Sequence, residues 1–471
     1  MRTRALCTAG LAATLLAGCA VVGPDFEPPA PDLPDAWRAE VPALLDEDDA
    51  AGPWWRYFDD ATMTALIERG SSDNLDIRLA ASRLREARAV ARGAIAETGP
   101  SLDLSADAGV EVSRTRGDDD DDDSGGSAGT ALDGDYEIDL FGGLTRTREA
   151  AWARAARQRA LEQETRRLSV AEIARTYVEL RAAERRLQLT RQSLALRNRT
   201  LELVSQRVDS GLAPALDRVR AQAEVATLRA RLGPLRTQTQ RLRNAIAVLL
   251  GEPPGGADAL LGGQPGEIPA SATGSAPGVP AELVRRRPDI QAAELQIAVA
   301  SAEVGIATAE LYPRLSLPGS ISIGWTGIGD GSVVTTVMGS LSALLQVPLF
   351  DGGQREAAVS AAEERLAQAG LTYRQTLLQA LQQVEAALAG YRGSWESLQA
   401  LTEAVDRNRR AYEQSRELYR QGFATFLDVL DSQRNWNDSL QALANTRRDV
   451  SLEIINLYTA LGGEIEPAGQ P

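Results

Sequence analysis

Residues 101–112 read Ser-Leu-Asp-Leu-Ser-Ala-Asp-Ala-Gly-Val-Glu-Val, apolar at even positions and mostly polar at odd ones. The alternation returns at 132–140, where Leu132, Tyr136, Ile138 and Leu140 interleave with Asp133, Asp135, Glu137 and Asp139. It returns again where Leu315, Leu317, Ile321, Ile323 and Trp325 oppose Ser316, Ser320 and Ser322, with a partner strand expected from about Val333 to Val347. Period two over about ten residues predicts membrane β-strands with one face to lipid and one to a lumen. Elsewhere the period is helical. Leu180, Leu187, Leu194, Leu201 and Val208 stand seven apart, and no Gly or Pro interrupts 144–210 or 423–461. The first stretch alone predicts a helix roughly 100 Å long, far beyond the usual dozen residues, so coiled-coil packing is expected. Gly-Leu-Ala-Pro (211–214) and Gly-Phe-Ala-Thr (422–425) interrupt these helices. Glycine permits the left-handed residue that closes a helix end, so each long helix turns back at a tip, Gly211 or Gly422.

The two passages are copies of one another. Asp76-Ile77 matches Asp289-Ile290, Pro100 matches Pro313, and Leu140-Phe141-Gly142-Gly143 matches Leu349-Phe350-Asp351-Gly352-Gly353. Gly211 to Asp217 matches Gly422 to Asp428, and Leu250-Gly251 matches Leu461-Gly462. Each copy carries a helix, two strands and two long helices in that order, which is a duplicated domain rather than a solenoid. The expected boundaries are a signal peptide at 1–18, an extended lipid-anchored segment at 19–60, a first repeat at 61–251, a linker at 252–281, a second repeat at 282–463 and a tail at 464–471.

Composition removes whole classes of chemistry. The chain has no His, and its two Cys, Cys7 and Cys19, lie in the first twenty residues. The commonest general base and metal ligand are therefore missing, and the rest of the chain can form neither a disulfide nor a thiolate metal site. No Ser/His/Asp set and no phosphate-cradling Gly loop is present, so no enzyme activity, no cofactor and no metal are expected. A formal charge of -15 repels phosphate backbones and argues against a nucleic-acid partner.

The first twenty residues read as a targeting segment. Arg2 and Arg4 precede an apolar run from Leu6 to Leu16, which ends in Leu16-Ala17-Gly18-Cys19. The run is too short to span a bilayer, and its end resembles a bacterial lipobox. In that reading the chain is cut before Cys19, and Cys19 carries the acyl chains that anchor it. Ala20 is not the Asp that, in such lipoproteins, favours retention at the inner membrane. Beyond this segment no run of eighteen apolar residues occurs, so a membrane crossing requires a closed β-barrel.

Four strands cannot enclose a lumen, since about eight is the practical minimum. Several copies must then share one barrel. Its polar face is acidic in the first repeat, with Asp103, Asp107, Glu111, Asp133, Asp135, Glu137 and Asp139 as lumen-facing candidates. The second repeat is mostly neutral there, so the expected barrel prefers cations. The run Asp118–Asp123 between the first two strands reads as a solvated loop of self-repelling charge. It lacks the ligand spacing of a calcium loop.

Segments from one end of the chain to the other resemble a known family. They are Cys-Ala-Val-Val-Gly-Pro-Asp-Phe (19–26), Trp54-Trp55-Arg56-Tyr57-Phe58, Tyr-Glu-Ile-Asp-Leu-Phe-Gly-Gly (136–143), Arg-Arg-Pro-Asp-Ile (286–290), Leu-Tyr-Pro-Arg-Leu-Ser-Leu (311–317), Pro-Leu-Phe-Asp-Gly-Gly (348–353) and Leu-Tyr-Thr-Ala-Leu-Gly-Gly (457–463). The chain resembles outer-membrane efflux factors of the TolC-like, NodT-type lipoprotein group. The resemblance implies a mainly α fold with a membrane β-barrel. Three protomers of four strands each would share twelve strands above a long periplasmic α-helical barrel. It implies a homotrimer in the outer membrane of a Gram-negative bacterium, a periplasmic adaptor at the helix tips Gly211, Leu212, Gly422 and Phe423, and an inner-membrane pump of RND type. It also implies a closed periplasmic aperture, with Asp428 and Asp431 matching its carboxylate ring and Tyr419 and Asp217 matching tethers between helix pairs. Three residues apart, Asp428 and Asp431 share one helix face, and crowding of six such carboxylates would raise their pKa values. From spacing alone they read as solvated or capping residues, Tyr419 as packing, and Asp217 as an N-cap after Pro214. Some relatives carry an Arg two residues after the tip Gly, where this chain has Ala424, so any lock must use other groups. Arg286-Arg287-Pro288-Asp289 reads as a helix start, with Pro and Asp both favourable in the first turn.

These readings converge on a passive outer-membrane duct for small molecules. A duct for type I protein secretion is a second reading in the same class. A non-conducting coiled-coil envelope lipoprotein is a third, and the alternating acidic strands argue against it.

Overall fold

In a computed structural model of the chain, residues 21–30, 37–38, 53–114, 122–263, 266–270, 284, 286–327 and 332–463 are described. The signal segment, Cys19, the loop 115–121 and the tail 464–471 lie outside them. The order is α1 (Ala61–Asp73), α2 (Leu75–Ala96), β1 (Ser101–Arg114), β2 (Asp122–Asp135), β3 (Glu137–Ile138), α3 (Gly143–Asp209), α4 (Ala215–Leu249), α5 (Asp258–Leu261), α6 (Pro288–Ala309), β4 (Arg314–Ser316), β5 (Gly319–Gly327), β6 (Val333–Leu341), β7 (Leu344–Gln346), α7 (Gln354–Gln421) and α8 (Phe426–Ala460). The duplication is metrical: α2 and α6 both have 22 residues, α3 and α7 have 67 and 68, and α4 and α8 both have 35. Helix α7 runs through Gly370, Gly390 and Gly393, and α4 through Gly233-Pro234. A rule that ends helices at Gly or Pro does not foresee this. At Gly390 a Cβ would lie 2.7 Å from the Glu453 carboxyl carbon, so the glycine lets α7 and α8 close together.

Contacts divide the chain into two compact units that cut across the repeats: Met1–Ala30 with Arg83–Arg159 and Ala292–Arg374, and Pro31–Ser82 with Ala160–Gln291 and Gln375–Pro471. The first unit holds all the strands. One antiparallel sheet has the order β1-β2-β5-β6, and a smaller one β3-β4-β7. The structure corrects several strand expectations; 315–325, for one, breaks into β4 and β5 in different sheets. The stretch 132–140 is not one strand: β2 ends at Asp135, Tyr136 leaves the ladder, and Glu137 passes to the small sheet opposite Ser316. Asp139 is not on a strand at all. Its carboxylate accepts the Leu144 and Thr145 amides and the Thr145 hydroxyl, which caps α3. The segment 333–347 likewise breaks into β6 and β7, and Asp122 and Asp123 belong to β2, opposite Arg114 and Ser113.

Residues 21–30 lie along this unit. The Val22 amide donates to the Phe141 carbonyl at 3.1 Å. The buried Arg146 guanidinium gathers the Val22 and Gly23 carbonyls and the Asp25 carboxylate. Gly23 has φ 85°, and a Cβ there would lie 2.4 Å from the Gly305 Cα.

The second unit holds the main apolar core. It joins Trp54, Trp55 and Phe58 to Met63, Leu66, Ile67, Ile173, Tyr177, Leu180, Ile246, Ile455 and Tyr458. Trp54–Phe58 is a 3-10 turn rather than part of an extended segment, and Trp54 stacks on Tyr458 at 6.0 Å. The linker also contains a helical turn, α5, with Leu261 buried in this core. Pro288 opens α6 as the sequence predicts. Arg287 beside it is buried and donates to Asp289, to Gln383 and to the Ala460 carbonyl at the end of α8. Burial opposes ionisation of Asp289, but the Arg287 guanidinium holds its carboxyl below the usual range.

Candidate functional site

The two tips are built alike. Helix α3 ends with the Gly211 amide donating to the Val208 carbonyl and the Leu212 amide to the Arg207 carbonyl. Helix α7 ends with Gly422 donating to Tyr419 and Phe423 to Leu418. With φ of 71° at Gly211 and 86° at Gly422, both are Schellman closures. They leave Leu212 and Phe423 69% and 80% exposed, and Leu216 and Leu427 exposed beside them.

The next helices start differently. At α8, Thr425 is the N-cap, and the Asp428 Oδ2 accepts from its amide at 2.8 Å and its hydroxyl at 2.7 Å. The Asp428 amide returns a bond to the Thr425 hydroxyl, completing a capping box. These Thr425 bonds hold the Asp428 carboxyl below the usual range within one protomer. Crowding of six carboxylates, expected to act the other way, concerns an assembly of copies. Asp431 is exposed and accepts from the Asn435 side chain at 3.3 Å. At α4 the N-cap is Pro214, which has no side-chain oxygen to offer. Asp217 is therefore not the N-cap but a first-turn residue, 3.9 Å from Arg220.

Tyr419 is buried among Val204, Tyr412, Phe426 and Val429. The Arg207 guanidinium lies 4.6 Å over its ring and donates to its carbonyl at 2.6 Å. Burial pushes the Tyr419 hydroxyl up, the Arg207 guanidinium opposes the rise and Asp217 adds to it. Arg207 is the tip residue that sequence reasoning missed. It supplies from α3 a cation at the end of α7, where a cation is favoured, in a chain that has Ala424. Above it, Glu224 on α4 takes both Arg197 of α3, at 3.0 Å, and Arg434 of α8. The tip thus ties both hairpins together. The Tyr412 and Tyr419 hydroxyls, the Gln433 amide and the Trp436 indole nitrogen are buried here without a hydrogen-bond partner among the described residues.

In the larger sheet one register row joins Asp103, Asp133, Ser320 and Ser340, and Asp135 stands opposite Ser101. Asp107 lies over Gly129, where a Cβ would come within 3.0 Å of its carboxylate. Glu111 pairs with Gly125 in the ladder. On the other face Leu102, Leu104, Val110, Ile321, Val337 and Leu341 are all 60–84% exposed. Among the described residues no helix is long and apolar enough to cross a membrane, and no group of side chains suits a metal ion.

The family model described as outer membrane efflux protein matches residues 66–252 and 279–463. The chain belongs to the outer membrane efflux protein family. Among its relatives, nodulation protein T of Rhizobium leguminosarum bv. trifolii is 30% identical, covering 97% of each chain. Outer membrane protein OprJ of Pseudomonas aeruginosa is 31% identical, covering 98% of this chain and 97% of that one. The solved structure of the outer-membrane channel OprN is 32% identical, with a TM-score of 0.82 over 94% of this chain and 99% of that one. The TolC-like fold and the outer-membrane location expected from the sequence motifs hold.

Proposed function

We propose that three copies of this chain form a passive duct through the outer membrane, anchored by lipid on Cys19, that carries small toxic molecules outward. A periplasmic adaptor seats on the exposed apolar tips around Leu212 and Phe423 and joins the duct to an RND-type inner-membrane pump, which supplies the energy. Specificity lies in that pump, because a wide aqueous lumen has little means of choosing.

The observation that carries the reading is the four-stranded sheet. Among the described residues neither outer edge, β1 or β6, is paired, and one face is a band of exposed aliphatic side chains. In lipid such edges are forbidden unless another sheet closes them, and three sheets give twelve strands, enough for a lumen. The attachment of residues 21–30 to the strand-bearing unit suits an anchor two residues earlier in the chain.

The test is permeation. Purified protein should run as three copies in detergent and, once reconstituted in lipid vesicles, release a trapped small sugar. A monomer that inserts and releases nothing would contradict the duct.

A further inference from the structure

Two guanidiniums without a carboxylate partner line one cavity in the second unit. Among the described residues, Arg185 of α3 donates to the Gln188 side chain at 2.9 Å, and neither it nor Arg447 of α8 meets an acid. Their neighbours along the same helices do. Arg181 pairs with Glu184, Arg197 with Glu224 and Arg448 with Asp449. The cavity is about 480 Å³, within the range of small-ligand sites. Helices α3, α7 and α8 form its walls, and the strap 266–270 borders it. The Ser451 hydroxyl ties that strap by donating to the Pro269 carbonyl at 2.5 Å.

The helix register sets both cations at one height. Ser193 bonds to Asn437, Thr190 to Gln441 and Arg175 to Asn456. Antiparallel α3 and α8 therefore place Arg185 level with Thr446, next to Arg447. Asn408 against Asn435, and Gly390 against Glu453, bring Trp395 of α7 to the same level. From there the α8 wall continues apolar through Leu443 to Leu440, with Leu398 of α7 opposite. The run from Arg447 to Leu440 is about 10 Å at the helical rise, the length of a medium acyl chain.

We infer that this cavity binds a monoanionic amphiphile of the fatty-acid class. Its head lies between Arg185 and Arg447 beside Trp395, and its chain runs over Leu398, Leu443 and Leu440. A guanidinium grips a carboxylate with two parallel donors, and a half-buried cation with no acid nearby leaves that capacity unfilled. Glu267, the one carboxylate in the lining, stands on the strap near the Ser451 tie. A second negative charge on the ligand would meet it, which limits the head to one. An occupant touches α3 of one hairpin and α7 and α8 of the other, so binding joins the two. The site belongs to a single chain, so it stands or falls apart from the duct.

The experiment is equilibrium dialysis of radiolabelled decanoate against the full-length protein in lipid nanodiscs, with empty nanodiscs as the blank. Saturable binding above the blank is expected. Decanol, with the same chain and no charge, should compete about tenfold less well. Arg185→Gln/Arg447→Gln should weaken decanoate binding about tenfold and leave the mass in detergent unchanged. Binding that does not saturate, equal competition by decanol, or equal binding in the variant overturns the site, because each describes partition into apolar surface alone. If that variant fails to assemble, Arg447→Cys decides. A water-soluble maleimide should label it above the wild-type background, and saturating decanoate should slow the labelling about tenfold. Labelling that decanoate leaves unchanged contradicts the site. A cysteine that never labels means that a second copy covers the groove, and the site falls while the duct stands.

Discussion

Thr425 and Asp428 show how a one-residue difference between repeats changes the work of the same carboxylate. In repeat two the Thr425 hydroxyl and amide hold Asp428 in a capping box. In repeat one Pro214 occupies the cap, and Asp217 faces Arg220 instead. Because the Asp428 carboxyl is held low by Thr425, its contribution to the start of α8 is fully present above the unfolded value, about pH 4. It is lost as pH falls through the lower folded value. Hydrogen exchange at the amides of 426–429 should therefore stay slow at pH 5, and Thr425→Ala should speed it at that pH. Identical exchange in the variant would deny the cap its role. Arg207→Ala removes a stacked cation of roughly 0.5–2 kcal/mol together with its bond to the Tyr419 carbonyl. Cells carrying it should take up a bulky dye excluded by wild type, whereas Arg207→Lys should leak less. Asp428, Asp431 and Tyr419 could be singled out in the sequence because the family segment around Gly422 marks them. Arg207 could not: it meets Tyr419 across 212 positions of sequence, in the other repeat, and no local pattern joins the two.

At the scale of elements, period two located the strands but not their ends. The alternation of Leu132 to Leu140 continues past Asp135 because apolar and polar residues also alternate through the turn into α3. There Asp139 is spent on a helix cap and Glu137 on a second sheet. A strand ends where its partner's backbone leaves, which no single strand's pattern records. The long helices were legible from missing Gly and Pro, yet α7 absorbs three glycines, one of them because Glu453 of α8 lies against it. The register row Asp103–Asp133 survives. Like charges placed directly opposite destabilise a ladder, and a water-filled lumen of the kind proposed above would screen them. Asp103→Asn/Asp133→Asn should shift the reversal potential in a salt gradient toward zero. An unchanged potential would place the cation preference elsewhere.

For the whole molecule, duplication is the organising fact. Corresponding helices of the two repeats match in length to within one residue. The compact units mix equivalent pieces of both repeats, so the repeats are sequence units rather than separate bodies. The sequence could reveal the duplication because it preserves Leu-Phe, Gly-Gly and the tip glycines at nearly constant spacing. It could not reveal which surfaces stay uncovered, since that depends on Phe141 finding Tyr312 while Phe350 stays exposed among the described residues. We propose in addition that the duct is gated, with its constriction at the α8 carboxylates Asp428 and Asp431. Its most direct test is single-channel current across a planar bilayer, comparing wild type with Asp428→Ala/Asp431→Ala. Small currents from wild type and larger ones from the variant are predicted. No current from either, in folded and inserted trimers, would contradict the duct itself.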